Sequence, residues 1–186
     1  MLDGQIFHLQ YHQKRYESVL QSLGVFAYKN LHEHLHVAPK GLYRCKIIYD
    51  ENSLEVACFE YTKREIQSLK LVYNDDIDYA QKSTNREQLD ALYALRQGCS
   101  DVLIVKHGLI TDTSIANIAL YKNGVWYTPK TPLLRGTTRT RLLEEKKIIE
   151  KDIYVKDLKE YTGVALLNAM VEFDIIAVEN AGRIIC

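Results

Sequence analysis

An Asn-Gly pair at positions 123 and 124 separates two short apolar runs, residues 115–121 and 125–127. A two-residue hairpin turn needs positive φ at both central positions, and Asn and Gly accept that conformation at least cost. The pair commits this part of the chain to an antiparallel hairpin, so the surrounding fold must supply a sheet. Residues 102–106 read as a strand ahead of it, followed by a turn at His107-Gly108. Residues 164–167, 175–178 and 183–185 read as short closing strands. Two helices interrupt the strands. Residues 86–97 carry Leu89, Leu92, Tyr93 and Leu95 near helical spacing before Gly98, and residues 137–149 form a charged amphipathic pattern.

The first part of the chain is patterned differently. Residues 6–10 read as a short strand, residues 11–23 as a helix ended by Gly24, and residues 25–36 as a second helix. Residues 41–49 and 54–61 alternate apolar and polar side chains around Asp50-Glu51-Asn52-Ser53, which predicts a hairpin, with residues 69–73 as a third strand on its sheet. The expected class is α+β. The expected division is a small N-terminal α/β lobe over residues 1–80 and a C-terminal lobe over residues 81–186.

With 186 residues, 47% of them hydrophobic and 26% charged, the chain can bury a core. The formal net charge of zero gives no basic surplus for nucleic acid. The apolar runs are shorter than the roughly 20 residues of a membrane helix, so no membrane partner is expected. The start, Met1-Leu2-Asp3-Gly4, has no charged leader followed by an apolar stretch, which favours the cytoplasm. Cys45, Cys58, Cys99 and Cys186 include no CxxC pair, which argues against a zinc ribbon and favours reduced thiols. His32 and His36 have i, i+4 spacing, yet no third ligand accompanies them, so no metal is expected.

Three segments carry the chemistry. Lys82-Ser83-Thr84-Asn85-Arg86 offers an amine that opens the loop into a helix and can point inward. A lysine that attacks a carbonyl must be partly desolvated or lie near another cation, although most lysines are solvated surface groups. Gly108 to Ile118 offers Asp112, expected on the turn between two predicted strands, whose alternative is an ordinary Asp-Ser-Thr turn. Pro132 to Arg139 offers Gly136-Thr137-Thr138 at a helix start, where free amides and the dipole favour a phosphate; a plain Thr-capped helix is the alternative. Arg44, on a predicted strand, points either to solvent or into a pocket where it could hold a substrate carboxylate.

Taken together and in order, Lys-x-x-Asn-Arg, Gly-x-Ile-Thr-acid-x-Ser-x-x-Asn, Thr-Pro and Leu-Leu-x-Gly-x-Thr-Arg resemble the class IV (fold-type IV) pyridoxal-phosphate enzymes. These include branched-chain and D-amino-acid aminotransferases and aminodeoxychorismate lyase. The resemblance covers roughly residues 3–185 and is strongest over residues 82–139. It implies a two-lobed fold whose C-terminal lobe is built on a mixed sheet or barrel, and a homodimer. It implies pyridoxal 5'-phosphate as cofactor, with Lys82 attached to it and shuttling protons. Asp112 would pair with the ring nitrogen. Gly136 and the amides of Thr137 and Thr138, with the Thr138 hydroxyl, would hold the phosphate. Thr113, Ser114 and Ala116-Asn117 would line the cofactor's edge. His12-Gln13-Lys14-Arg15 resembles the family's His-x-x-Arg segment, which makes Arg15 a further phosphate ligand. Asn168-Ala169-Met170 resembles the loop that closes over the substrate. Two departures stand out: an aspartate where glutamate is usual, and a short chain lacking the usual first strand. The Lys-x-x-Asn-Arg pattern resembles the lyase branch more than the branched-chain aminotransferase branch, which implies the lyase that converts 4-amino-4-deoxychorismate to 4-aminobenzoate and pyruvate on the folate route; a small-molecule amino substrate is the expected partner. An aminotransferase of D-amino-acid or branched-chain type and a degenerate, non-catalytic binding protein are the alternatives.

Overall fold

The computed structural model describes residues 1–36, 40–177 and 185, and the chain divides into two units, Met1–Lys63 and Arg64–Cys186. In the first unit, helix α1 spans Leu9–Ser22. It stops where the Leu23 and Gly24 amides turn back onto Leu20 and Gln21, with Gly24 at φ +80°. Strands β1 (Tyr43–Tyr49) and β2 (Leu54–Glu60) form the expected hairpin, and the Asp50 carboxylate accepts from the Asn52 and Ser53 amides at its turn. Tyr16, Leu20 and Leu31 form the core of this unit, with Ile47, Tyr49 and Leu54 packed on it.

Several expectations for this unit are corrected. Residues 6–10 are not a strand; α1 begins at Leu9, after His8 in a left-handed conformation. Residues 25–36 hold one 3-10 turn, Leu31–His34, instead of a helix. The reason is tertiary: Gln13 bonds the Lys29 carbonyl (3.0 Å) and the Leu31 amide (2.9 Å), and the Lys29 amide donates to the Tyr16 hydroxyl (3.3 Å). Those backbone groups bond to α1 side chains in place of helical partners. Cys45 and Cys58 stand directly opposite in the hairpin register and are joined as a disulfide, so the four thiols are not all reduced. The hairpin brings together two cysteines whose spacing along the chain gives no such sign.

The second unit opens with β3 (Leu69–Tyr73), helix α2 (Glu87–Ala94) and β4 (Asp101–Lys106). β3 pairs with β4 in parallel, not with the β1–β2 hairpin, and α2 forms part of the crossover that parallel pairing requires. Val72, Leu89, Leu92, Val102 and Ile104 share one core cluster. The boundary between the units therefore falls at Lys63/Arg64, ahead of the expected division near residue 80. β5 (Leu109–Thr113), β6 (Asn117–Lys122) and β7 (Val125–Pro129) follow, and Asn123 and Gly124 take φ of 51° and 83° in the β6–β7 turn, as the sequence demands. Next come α3 (Thr137–Glu144), β8 (Ile149–Lys151), β9 (Gly163–Asn168) and β10 (Glu172–Ala177). The helix is shorter than the expected 137–149 because Ile149 pairs with Tyr127 of β7.

The sheet order is β10-β9-β6-β5-β4-β3, with β7 on β6 and β8 on β7. Both faces are covered. Leu103, Val105, Ile118 and Leu120 pack on one side with Ile153 and Tyr161. Ala119, Ala165 and Leu167 pack on the other with Leu142 and Ile148. Strands buried on both faces are apolar at nearly every position, as β4 is. The strand expected at 183–185 lies outside the described residues except for Ile185, which bridges Leu69 in parallel; Val178 also lies outside them.

Candidate active site

β5 and β6 place the acid. Leu103 pairs with Thr113, but Val105 pairs with Ile110, so two steps on β4 face three on β5. This bulge interrupts the alternation of side chains. Ile110 stays in the apolar cluster with Leu103 and Val105, while Asp112 emerges opposite Asn117, on the face that α3 covers. Asp112 thus sits within a strand, not on the turn expected for it; the turn is residues 113–116, where the Thr113 hydroxyl accepts from the Ala116 amide (3.0 Å).

Asp112 is 5% exposed. Its Oδ1 accepts from Asn117 Nδ2 (2.7 Å) and its Oδ2 from the Leu134 amide (2.9 Å). Asn117 Nδ2 also donates to the Leu134 carbonyl (2.7 Å), and Asn117 Oδ1 accepts from the Gly136 amide (3.1 Å). One carboxylate and one amide therefore fix the backbone that leads into α3. Burial pushes the Asp112 pKa up to about 6, against the opposing effects of the Leu134 amide, Asn117 and the Arg139 charge. The folded chain holds this proton more tightly than the unfolded chain, so the stability it contributes is full below the ordinary value of 3.8 and is lost as pH rises through about 6. A displacement of this size corresponds to about 3 kcal/mol. Denaturant unfolding of the ligand-free chain at pH 4, 5, 6 and 7 should show this loss, and Asp112→Asn should lack it. An identical pH slope in both proteins would rule it out.

Gly136 precedes α3 with φ −68° and ψ 147°, a conformation open to any residue. Space explains the glycine: a Cβ there would lie 2.1 Å from Asn117 Oδ1. Gly136→Ala must displace Asn117 and should cost about 1–3 kcal/mol, read as a lowered melting temperature; an unchanged melt would refute the crowding. No side chain caps α3, and Thr137 and Thr138 are buried at its first turn. First-turn amides have no acceptor within their own helix, so this end suits an anion. Arg139 anchors the helix by donating to the Pro129 carbonyl and to Glu150, both at 2.7 Å.

The other segments meet the same turn. Arg86 donates to the Ser114 carbonyl (3.0 Å), which ties the loop carrying Lys82 to residues 112–117. Asn168 Nδ2 donates to the Ile115 carbonyl (3.3 Å), while its Oδ1 accepts from the Met170 (2.8 Å) and Val171 (3.0 Å) amides. Ala169 is exposed at the tip of that turn. Lys82 itself is exposed, contrary to the expected inward, desolvated amine, because its loop is held by local bonds such as Tyr79 Oη to the Ser83 carbonyl (3.0 Å). Arg15, half-buried on α1, and Arg44, exposed on β1, belong to the first unit. Sequence reasoning missed the bridging roles of Arg86, Asn117 and the Leu134 amide. A glycine required by space alone was the available sign of Asn117's position.

A buried acid, an uncapped helix start beside it and a lysine loop tied to the same turn fit a cofactor with a basic ring nitrogen, a phosphate and an aldehyde. The family described as amino-transferase class IV matches residues 1–177. The chain belongs to that family. Class IV aminotransferases use pyridoxal phosphate. An uncharacterised protein of Haemophilus influenzae is 36% identical over 174 residues, covering 90% of this chain and 93% of that one. A crystal structure of a protein from Haemophilus somnus, named as a "putative 4-amino-4-deoxychorismate lyase", is 35% identical with a TM-score of 0.82, covering 91% and 92% of the two chains. A hypothetical aminotransferase from Mycobacterium tuberculosis, solved with PLP bound, shares the fold at 18% identity and a TM-score of 0.78, over 94% of this chain and 77% of that one. These likenesses agree with the α+β, fold-type IV architecture expected from the motifs. Among the described residues no helix is long and apolar enough to cross a membrane.

Proposed function

We propose that this chain is a pyridoxal-phosphate-dependent lyase that converts 4-amino-4-deoxychorismate to 4-aminobenzoate and pyruvate. The observation that carries this reading is the convergence of the Lys82 loop, Asp112 and the α3 start on residues 112–117. The naming of the Haemophilus somnus protein supports the choice of reaction. So does a Schizosaccharomyces pombe protein named "Putative aminodeoxychorismate lyase", 43% identical over 86 residues, or 43% of this chain and 36% of that one.

Pyridoxal phosphate, when bound, supplies an electron sink joined to the substrate amine. The chain's own residues do the rest. Lys82 Nζ would hold the cofactor through its aldehyde carbon and would carry the proton from the carbon that bears the substrate amine. Asp112, when ionised, would hold the ring nitrogen in its protonated form. The Thr137 and Thr138 amides, with the Thr138 hydroxyl, hold the phosphate. A cytoplasmic homodimer belongs to the same reading.

One such site also supports amino-group transfer, and the fold shared with the Mycobacterium tuberculosis protein favours keeping that second reading. Product analysis separates the two. Pyruvate released from 4-amino-4-deoxychorismate without a keto-acid acceptor supports the lyase, whereas a requirement for 2-oxoglutarate and an amino donor supports the transferase. Failure to gain a visible absorbance band on reconstitution with pyridoxal phosphate would remove both and leave a non-catalytic binding protein.

A further inference from the structure

β9 and β10 are joined by a three-residue turn, Ala169-Met170-Val171, between the paired residues Asn168 and Glu172. A residue in the left-handed region next to such a turn is most easily a glycine. Here the position is Glu172, at φ 57°. A glutamate standing where glycine would be more comfortable points to a use for its side chain. Its carboxylate forms an ion pair with Arg141 Nη2, in the second turn of α3, and Arg141 Nη1 binds Glu145 at 3.0 Å just past the end of that helix. The Arg141 side chain is only 9% exposed, so its charge depends on these two partners. The turn is thus held at both ends: Asn168 fastens it to Ile115 beside Asp112, and Glu172 fastens it to the helix whose first amides face the candidate phosphate position.

We propose that Glu172 is a positioning residue for the substrate side of the site. Through Arg141 it links the turn 168–172 to α3, so that an anion seated at the helix start orders the turn that meets a carboxylate-bearing amine substrate. This rests on the reading in which α3 holds the cofactor phosphate. The link must run both ways: an occupied turn tightens phosphate binding by the same factor.

The chain contains its own reporter. Its only tryptophan, Trp126, stacks edge-on against Phe173, the neighbour of Glu172, with ring centroids 5.0 Å apart. The test titrates the full, cofactor-free chain with inorganic phosphate, following binding by calorimetry and the turn by Trp126 emission. Wild type is expected to bind phosphate with a change in emission. Glu172→Gln and Glu172→Gly should still bind phosphate while the emission response falls about fivefold or more. After reconstitution with pyridoxal phosphate, both variants should raise KM for the amino substrate about fivefold at little-changed kcat. The glycine variant guards against misfolding, since its backbone prefers this conformation. A purely structural turn residue would leave the emission response of Glu172→Gly unaltered, whatever the change in its stability. Phosphate binding without an emission change in wild type, or an equal change in both variants, overturns the link alone. Absence of phosphate binding in wild type overturns the link and the cofactor reading together.

Discussion

Lys82→Ala is expected to abolish the visible absorbance of the reconstituted protein and to lower turnover about a thousandfold or more, the scale at stake when one amine is both covalent anchor and proton carrier. The fold should be nearly unaffected. Lys82 is exposed on a loop outside any helix or strand, and surface substitutions of this kind usually change stability by about 0.5 kcal/mol or less. Absorbance, turnover and a thermal melt on the same preparations separate the roles. Retained turnover with a retained band would transfer the covalent role to another amine. A collapsed melt would mean that Lys82 supports the loop instead.

Asp112→Asn is expected to act on affinity as well as on chemistry. Removing a charge beside the ring nitrogen would by itself slow turnover and leave the cofactor bound. The structure adds a second effect. One Asp112 oxygen accepts from the Leu134 amide and the other from Asn117 Nδ2, so both neighbours are donors. Whichever way the new side-chain amide turns, its NH2 meets a donor. The resulting unpaired groups should cost about 1–3 kcal/mol and loosen residues 134–136. Cofactor affinity should therefore fall about tenfold, with turnover falling further. Equilibrium titration with pyridoxal phosphate decides the matter: an unchanged affinity would mean that Asp112 does not organise the phosphate side.

The three motifs were legible through their order, since each alone has an ordinary alternative, and the Asn123-Gly124 turn was legible because its backbone conformation nearly dictates its residues. The β1–β2 hairpin was readable from its alternation for the same local reason. What escaped was set by partners distant in the chain. Leu69 to Tyr73 carries the composition of a strand but no mark of whether it joins β2 or β4. The helix propensity of residues 145–149 is overridden by the pairing of Ile149 with Tyr127. Residues 25–36 lose their helix to the Gln13 and Tyr16 side chains of α1. Within the site, the residue types of Lys82, Asp112 and Gly136 were apparent, whereas the exposure of Lys82 and the bridging by Asn117 depend on three-dimensional crowding.

The uneven count of residues between β4 and β5 makes spacing an inherited property of this site in its own right. A descendant could retain every side chain named above and still lose the constellation by gaining one residue between Leu103 and Val105 of β4. Regular alternation would then put Asp112 two places from Ile110 on the same face, and the acid would meet the hydrocarbon of Leu103, Ile118 and Leu166 in place of Asn117. Drift in this stretch is therefore constrained in length before it is constrained in composition. Comparisons that score substitutions alone, without gaps, would overlook the change that matters most here.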